Sequence, residues 1–113
     1  MGRPPGQSTR LPTSHPYVGI SEIAVPVEGA AALQVAFADR LHAVDQWPGF
    51  SGLELLQDRR HPGRYLMITR WHTRAQFVAY MRSEDHRRSH GRIDRGAGGP
   101  RPAGFTEYDL VAE

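Results

Sequence analysis

The sequence predicts one α+β domain of ferredoxin-like βαββαβ build, with a four-stranded antiparallel sheet and helices on one face. Three observations predict it. Four short stretches alternate apolar and polar residues or carry β-formers. Two longer stretches between them repeat apolar residues at helical spacing. Turn-forming Pro and Gly residues fall at the boundaries.

Residues 1–16 are rich in Pro, Gly, Ser, Thr and Arg. They have too little apolar surface to bury, so a disordered tail is expected there, with the domain over 17–113. Tyr17 to Val25 is the first strand, ended by Pro26. Tyr17, Ser21, Ile23 and Val25 lie on one face; Val18, Ile20, Glu22 and Ala24 lie on the other. Glu28 to about Gln46 is predicted as one long helix with Leu33, Phe37, Leu41 and Val44 as its core stripe. Trp47-Pro48-Gly49 stops it. Phe50–Gln57 and Arg64–Trp71 form the middle strands, joined through the Pro62-Gly63 turn as an antiparallel hairpin. Thr73 with Gln76 is a capping box that opens the second helix, and Phe77, Tyr80 and Met81 give its apolar face. Ser83 caps a further helical segment to about His90. A Gly/Pro/Arg-rich loop spans Gly91 to Gly104, and Phe105 to Val111 forms the last strand. The sheet face away from the helices carries Val18, Ile20 and Leu110 and needs cover, which a second copy of the chain would provide.

Composition narrows the function. The chain has no cysteine, so disulfides, thiolate chemistry and Cys-ligated metals are excluded. No apolar stretch has the length of a membrane span, and the N-terminus lacks a secretory h-region, so a cytoplasmic protein is expected. All 14 basic residues are arginine. Arg82, Arg87, Arg88, Arg92, Arg95 and Arg101 cluster, either to hold an anionic ligand group or as a solvated face. The net charge of +2 and the lack of interleaved aromatics argue against nucleic acid as a partner. The glycines around Gly96 to Gly99 do not form a nucleotide-binding fingerprint, so no flavin or nicotinamide site is expected.

The Trp47-Pro48-Gly49-Phe50 step, the Tyr65-to-Trp71 strand and the helix leading into His90 together resemble the antibiotic biosynthesis monooxygenase family. The resemblance runs from about Tyr17 to Val111. It implies a dimeric α/β barrel, two sheets packed face to face, with a ligand cleft between each sheet and its helices. One branch of the family oxidises aromatic polyketide-type substrates with O₂ and no cofactor; another degrades haem. In the haem branch a histidine ending the second helix ligates iron, an aromatic ten residues earlier, normally tryptophan, lies near the porphyrin, and an asparagine of the first strand enters the pocket. His90 matches the first position. Tyr80 and Ser21 stand at the other two, where the sequence departs from the family pattern.

From these residues the expected catalytic set is His90, Tyr80, Ser21 and Arg40. His90 would act as base or iron ligand, or else meet the terminal helix carbonyls. Tyr80 would stack on a planar ligand or pack in the core. Ser21 would orient O₂ or a carbonyl, or bond backbone. Arg40 would pair with a phenolate or propionate, or lie on the surface. Phe37, Phe50, Trp71 and His86 are expected to line the substrate site, with core packing as the alternative for the aromatics. His86 and His90 share a helix face, but no further ligands complete a zinc site, so no metal is expected. The leading expectation is a monooxygenase that oxidises an aromatic or polyketide-type small molecule with O₂ and no cofactor. The alternatives are a haem-binding or haem-degrading monooxygenase with His90 on the iron, and a non-enzymatic ligand-binding accessory subunit.

Overall fold

β-Formers at the start of the body make β1, Tyr17–Ala24. The structure is a computed structural model that describes residues 15–39, 43–91 and 100–113, with the backbone alone at 89–91. The expected N-terminal tail lies outside the described residues up to position 14. Pro16 accepts a hydrogen bond from Leu110 N at 2.8 Å.

A 3₁₀ turn, Val27–Gly29, leads into α1, Ala30–Ala38. A second 3₁₀ turn, Ala43–Gln46, leads into β2, Phe50–Gln57. β3 is Arg64–Trp71, α2 is Arg74–Met81, α3 is Glu84–Gly91 and β4 is Arg101–Asp109. The strands pair antiparallel in the order β2-β3-β1-β4. This is the predicted ferredoxin-like arrangement, and no helix of the described residues is long and apolar enough to cross a membrane.

Four expectations are corrected. The long helix to Gln46 is instead α1 and a separate 3₁₀ turn. At Asp39 the backbone leaves helical geometry (φ −107°, ψ 27°), and short polar residues compete with helix continuation there. The break matters for packing, because Leu33 and Val44 are buried in different core clusters. Of the expected stripe, Phe37 is half-buried and Leu41 lies outside the described residues. Met81, expected in the core, is 41% exposed, since α2 buries Phe77 and Tyr80 instead. β4 starts at Arg101, not Phe105, and ends before Leu110. Its early residues pair with β1 through a bulge between Glu22 and Ile23, which tolerates Pro102 on this edge strand. β1 ends one residue early, where Val25 N bonds Gly63 O.

The capping residues act as the sequence predicts. Thr73 Oγ1 accepts from Gln76 N at 3.2 Å, and its hydroxyl donates to Gln76 Oε1 at 3.1 Å. Ser83 Oγ accepts from His86 N at 3.1 Å. Gly49 takes φ +86°, the left-handed conformation that turns the chain from Pro48 into β2. A Cβ at this glycine would meet the Gln76 side chain, the one engaged with Thr73.

A polar triad ties α2 to the sheet. Tyr17 donates to Glu107 Oε1 at 2.9 Å, and Arg74 Nε donates to the same oxygen. The Arg74 and Tyr17 bonds hold the Glu107 carboxyl below its ordinary value. Burial, and then the bond to Glu107, push the Tyr17 phenol up.

Two predictions follow from this frame. Gly49→Ala should lose about 1–3 kcal/mol in urea unfolding, through the positive φ and the displaced Gln76. A folded pKa below the unfolded one gives stability above the unfolded value that is lost as pH falls. Stability should therefore drop below about pH 4.5, the ordinary value for Glu107. Glu107→Gln should flatten that acid limb in melts recorded across pH.

Candidate functional site

Strand alternation sends Tyr17, Gly19, Ser21 and Ile23 of β1 to the helix face. Register then assembles that face row by row. Tyr17 faces Trp71, and Trp71 faces Phe50. Gly19 faces Thr69 and Glu107, and Thr69 faces Leu53. Ser21 faces Met67 and Phe105, and Met67 faces Leu55. Ile23 faces Tyr65, and Tyr65 faces Gln57.

The outer rows are filled. At one end Tyr17, Val44, Trp71, Phe77 and Tyr80 form a buried cluster, with Trp47, Phe50 and Val78 packed on it. At the other, Val25, Ala30, Leu33 and Tyr65 form a second, with Ile23, Phe37 and Leu55 against it. Between them the sheet carries Gly19, Ser21, Thr69, Met67 and Leu53, which belong to neither cluster. Ser21, Met67, Thr69 and Leu53 are half-buried. This central strip is the floor of the candidate cleft: uncharged, smallest along β1 at Gly19 and Ser21, and provided with two hydroxyls.

Aromatic rings wall it. Phe105 stacks on Phe77 with centroids 5.8 Å apart and planes 8° apart, while remaining 49% exposed. Gly19 makes room for that ring: a Cβ there would lie 3.2 Å from it. On the other side an open groove of about 460 Å³ runs between α1 and the hairpin. It is lined by Gln34, Phe37 and Ala38 of α1, and by Leu53, Leu55, Gln57 and Tyr65 of the sheet.

The structure distributes the sequence-derived residues unevenly. Ser21 lies on the floor, and Phe37 lines the groove. Tyr80, Trp71, Phe50 and His86 gather at the aromatic end. Tyr80 is 9% exposed, with Trp47 and Trp71 each 5.6 Å from it and His86 5.3 Å away. Phe50 meets Trp71 edge-on at 5.3 Å. Trp71 is 1% exposed and its indole N–H has no hydrogen-bond partner among the described residues. His90 sits in the last turn of α3; its side chain, like the whole of Arg40, lies outside the described residues.

Asp85 ties α3 to this aromatic end, alongside the ring contact of His86 with Tyr80. Asp85 Oδ2 accepts from Trp47 Nε1 at 2.9 Å, and its Oδ1 accepts from Arg88 at 2.9 Å. Sequence reasoning missed Asp85, since nothing near it in the chain marks Trp47 as its partner. It also missed Gly19, Thr69, Met67, Phe105 and the groove residues other than Phe37. Counting two residues at a time from Ser21, with the strand register, would have found the first three.

A family model described as antibiotic biosynthesis monooxygenase matches residues 16–92. Curated relatives from two strains of Mycobacterium tuberculosis, described as heme oxygenase (mycobilin-producing), are 38% identical over 65 residues. That stretch is 58% of this chain and 62% of theirs, so the chain spans under two thirds of the length of the curated relatives it matches. Among solved structures, the heme-degrader MhuD of Mycobacterium tuberculosis with two hemes in its active site superposes with TM-score 0.71 at 28% identity. That superposition covers 86% of this chain and 97% of that one. A Bordetella bronchiseptica structure superposes with TM-score 0.73 at 19% identity, covering 87% and 99%, a likeness of fold alone.

If Asp85 holds α3 in place, Asp85→Ala should cost roughly 1 kcal/mol, as expected for a part-exposed charged hydrogen bond. Amide exchange should quicken across Glu84–Gly91 more than in β1 or β3. Uniform acceleration would assign the residue a different role.

Proposed function

The chain belongs to the antibiotic biosynthesis monooxygenase family, and from that premise we propose that it is an O₂-dependent monooxygenase acting on a large planar conjugated molecule, with haem as the leading substrate. The observation that carries the proposal is the central strip of the helix face, Gly19, Ser21, Thr69, Met67 and Leu53, which belongs to neither bulky cluster and adjoins the open groove along α1. A flat apolar molecule fits over such a strip, shielded by rings on both sides. Haem leads because the curated relatives at 38% identity are described as heme oxygenases and the MhuD structure at 28% identity holds hemes in its active site.

In this reading the chain's residues bind, orient and exclude water. Phe105, backed by the buried Phe77, and Phe37 flank the macrocycle, and the low-polarity floor keeps bulk water from the reacting edge. The Ser21 and Thr69 hydroxyls donate to oxygen at the face of the substrate. His90, carried on α3 and positioned through Asp85, ligates the iron. Electrons come from an external reductant, since no side chain of this chain supplies them. Tyr80 supports the cleft from behind, through its packing on Trp71 and Trp47. A second reading is cofactor-free oxidation of a phenol or anthrone, with His90 as the base. Serine and tyrosine at the family's asparagine and tryptophan positions favour it.

The functional unit in this proposal is a homodimer of the domain over 17–113, in the cytoplasm. The sheet face away from the helices carries Val18, Ile20, Leu56, Leu66, Ile68 and Tyr108 by register. Leu56, Leu66 and Tyr108 are 47%, 38% and 49% exposed in the single chain. The Glu54–Arg70 pair lies beside them. An apolar sheet face with a charged margin suits a self-complementary contact with a second copy. Leu66→Glu should convert a dimer to a monomer in light scattering; a wild-type monomer would contradict the dimer.

Hemin titration tests the enzymatic proposal. A saturable Soret shift is expected for wild type. It should be lost in His90→Ala and weakened about tenfold in Ser21→Leu, which fills the floor. Ascorbate and O₂ should then bleach the bound haem. Absence of specific hemin binding, with O₂ uptake on an anthrone, would replace haem by the second reading.

A further inference from the structure

The groove beside Phe37 ends in a polar cluster that the account of oxidation above does not use. Tyr65 is 3% exposed and lines the groove, and both partners of its hydroxyl, Gln34 and Gln57, line it too. Gln57 Nε2 donates to that hydroxyl at 3.1 Å and to Pro62 O at 3.0 Å, which fixes the Gln57 amide orientation. Gln34 Nε2 is 2.7 Å from the same hydroxyl. If Gln34 donates, the Tyr65 O–H proton has no acceptor among the described residues. If the Gln34 amide is turned over and accepts, both of its own N–H groups are left over. In either orientation a hydrogen-bond donor remains uncommitted at the groove wall. Tyr65 is buried while Gln34 and Gln57 are exposed, so the unmet donor is costly where it is the Tyr65 hydroxyl.

The position of the cluster ties it to the cleft. Gln57 faces Tyr65, and the next pair along the same face is Leu55 and Met67, whose other neighbour is Ser21. Two residues along a strand is about 7 Å, so the polar end adjoins the floor within the span of one flat ligand. Among the described residues the groove lining carries no charged side chain, and Phe37, Leu53 and Leu55 form its apolar body.

We propose that Gln34, Tyr65 and Gln57 form a hydrogen-bonding subsite that holds an oxygen acceptor, a carbonyl or carboxylate oxygen, at the edge of a flat ligand lying in the cleft. The inference rests on the reading of the central strip as a ligand cleft, and it assigns to these three residues the choice among flat molecules by their oxygen substituents. A molecule without such an oxygen leaves the donor unmet and is disfavoured.

The test follows the side-chain amide signals of Gln34 and Gln57 in ¹⁵N-labelled protein, assigned by their loss in Gln34→Leu and Gln57→Leu. The probes are benzoate, acetophenone and toluene, which share a ring and differ in oxygen. The amide signals should move with benzoate, acetophenone or both, and stay still with toluene. A response to benzoate alone identifies a carboxylate, and one to acetophenone alone a neutral carbonyl. Tyr65→Phe should raise the Kd of the responding probe about three- to tenfold, the range of one hydrogen bond. Should that variant fail to fold, Gln34→Leu read through the Gln57 amide serves the same purpose. Amides that stay still with all three probes, or that respond as strongly to toluene, would overturn the subsite. Because no oxidation is involved, responsive amides without hemin turnover would remove haem oxidation and leave the subsite standing. Hemin turnover with silent amides would do the reverse.

Discussion

The site depends on the register of β1 between β3 and β4. A β-strand alternates its side chains with period two, so one residue of slip would move Ser21 and Gly19 to the opposite face. The pairing of Tyr17 with Trp71 at one end and Ile23 with Tyr65 at the other puts bulky residues at both ends of the helix face. Gly19 and Ser21 then occupy its middle, opposite Thr69 and Met67. The same register gives Phe105 a place over Gly19, where it meets Phe77 of α2. The position of the candidate cleft thus follows from where small residues fall in an otherwise well-packed layer.

Helix placement follows from the break in the first helical segment and from a few polar ties. Leaving the helix at Asp39 lets Leu33 anchor one cluster and Val44 the other, so a single chain segment supports both ends of the cleft. At the aromatic end, Glu107 links β4, Arg74 of α2 and Tyr17 of β1. Asp85 links α3 to Trp47 just before β2. These ties set the orientation of the helix that carries His86 and His90. The cluster they hold together is dense, with rings meeting edge-on and tilted at 4.9–6.0 Å. Tyr80 lies deep in it, which makes that tyrosine a support of the cleft wall.

The architecture was legible because local rules and global fold agree. Alternation marked the middle strands to the residue, Thr73 and Ser83 marked two helix starts, and Pro48-Gly49 marked a turn with positive φ. What was not legible depends on contacts distant in sequence. Helical spacing from Leu33 to Val44 continues across Asp39, so periodicity alone cannot show that the backbone breaks there. The start of β4 at Arg101 has no apolar alternation to announce it, because an edge strand is defined by its hydrogen bonds to β1. Strand alternation placed Ser21 on the helix face, and helical spacing placed Phe37 toward the sheet, where the register and the groove lining have them. Trp71, Tyr80 and Phe50 carried a choice between core and cleft that only packing resolves, and burial places Trp71 and Tyr80 in the core. Gln34 and Tyr65 meet across 31 positions of chain, and no local pattern brings them together.

In the proposed function, the strip from Gly19 and Ser21 to Thr69 and Met67 receives a flat conjugated ligand. A titration of ¹⁵N-labelled protein with gallium protoporphyrin, diamagnetic and shaped like haem, tests this binding. Backbone amide shifts should concentrate at Gly19, Ser21, Met67, Thr69 and Phe105, with slight changes at Glu22, Glu54 and Leu66 on the opposite face. Shifts centred on that opposite face, or none at saturating porphyrin, would contradict it.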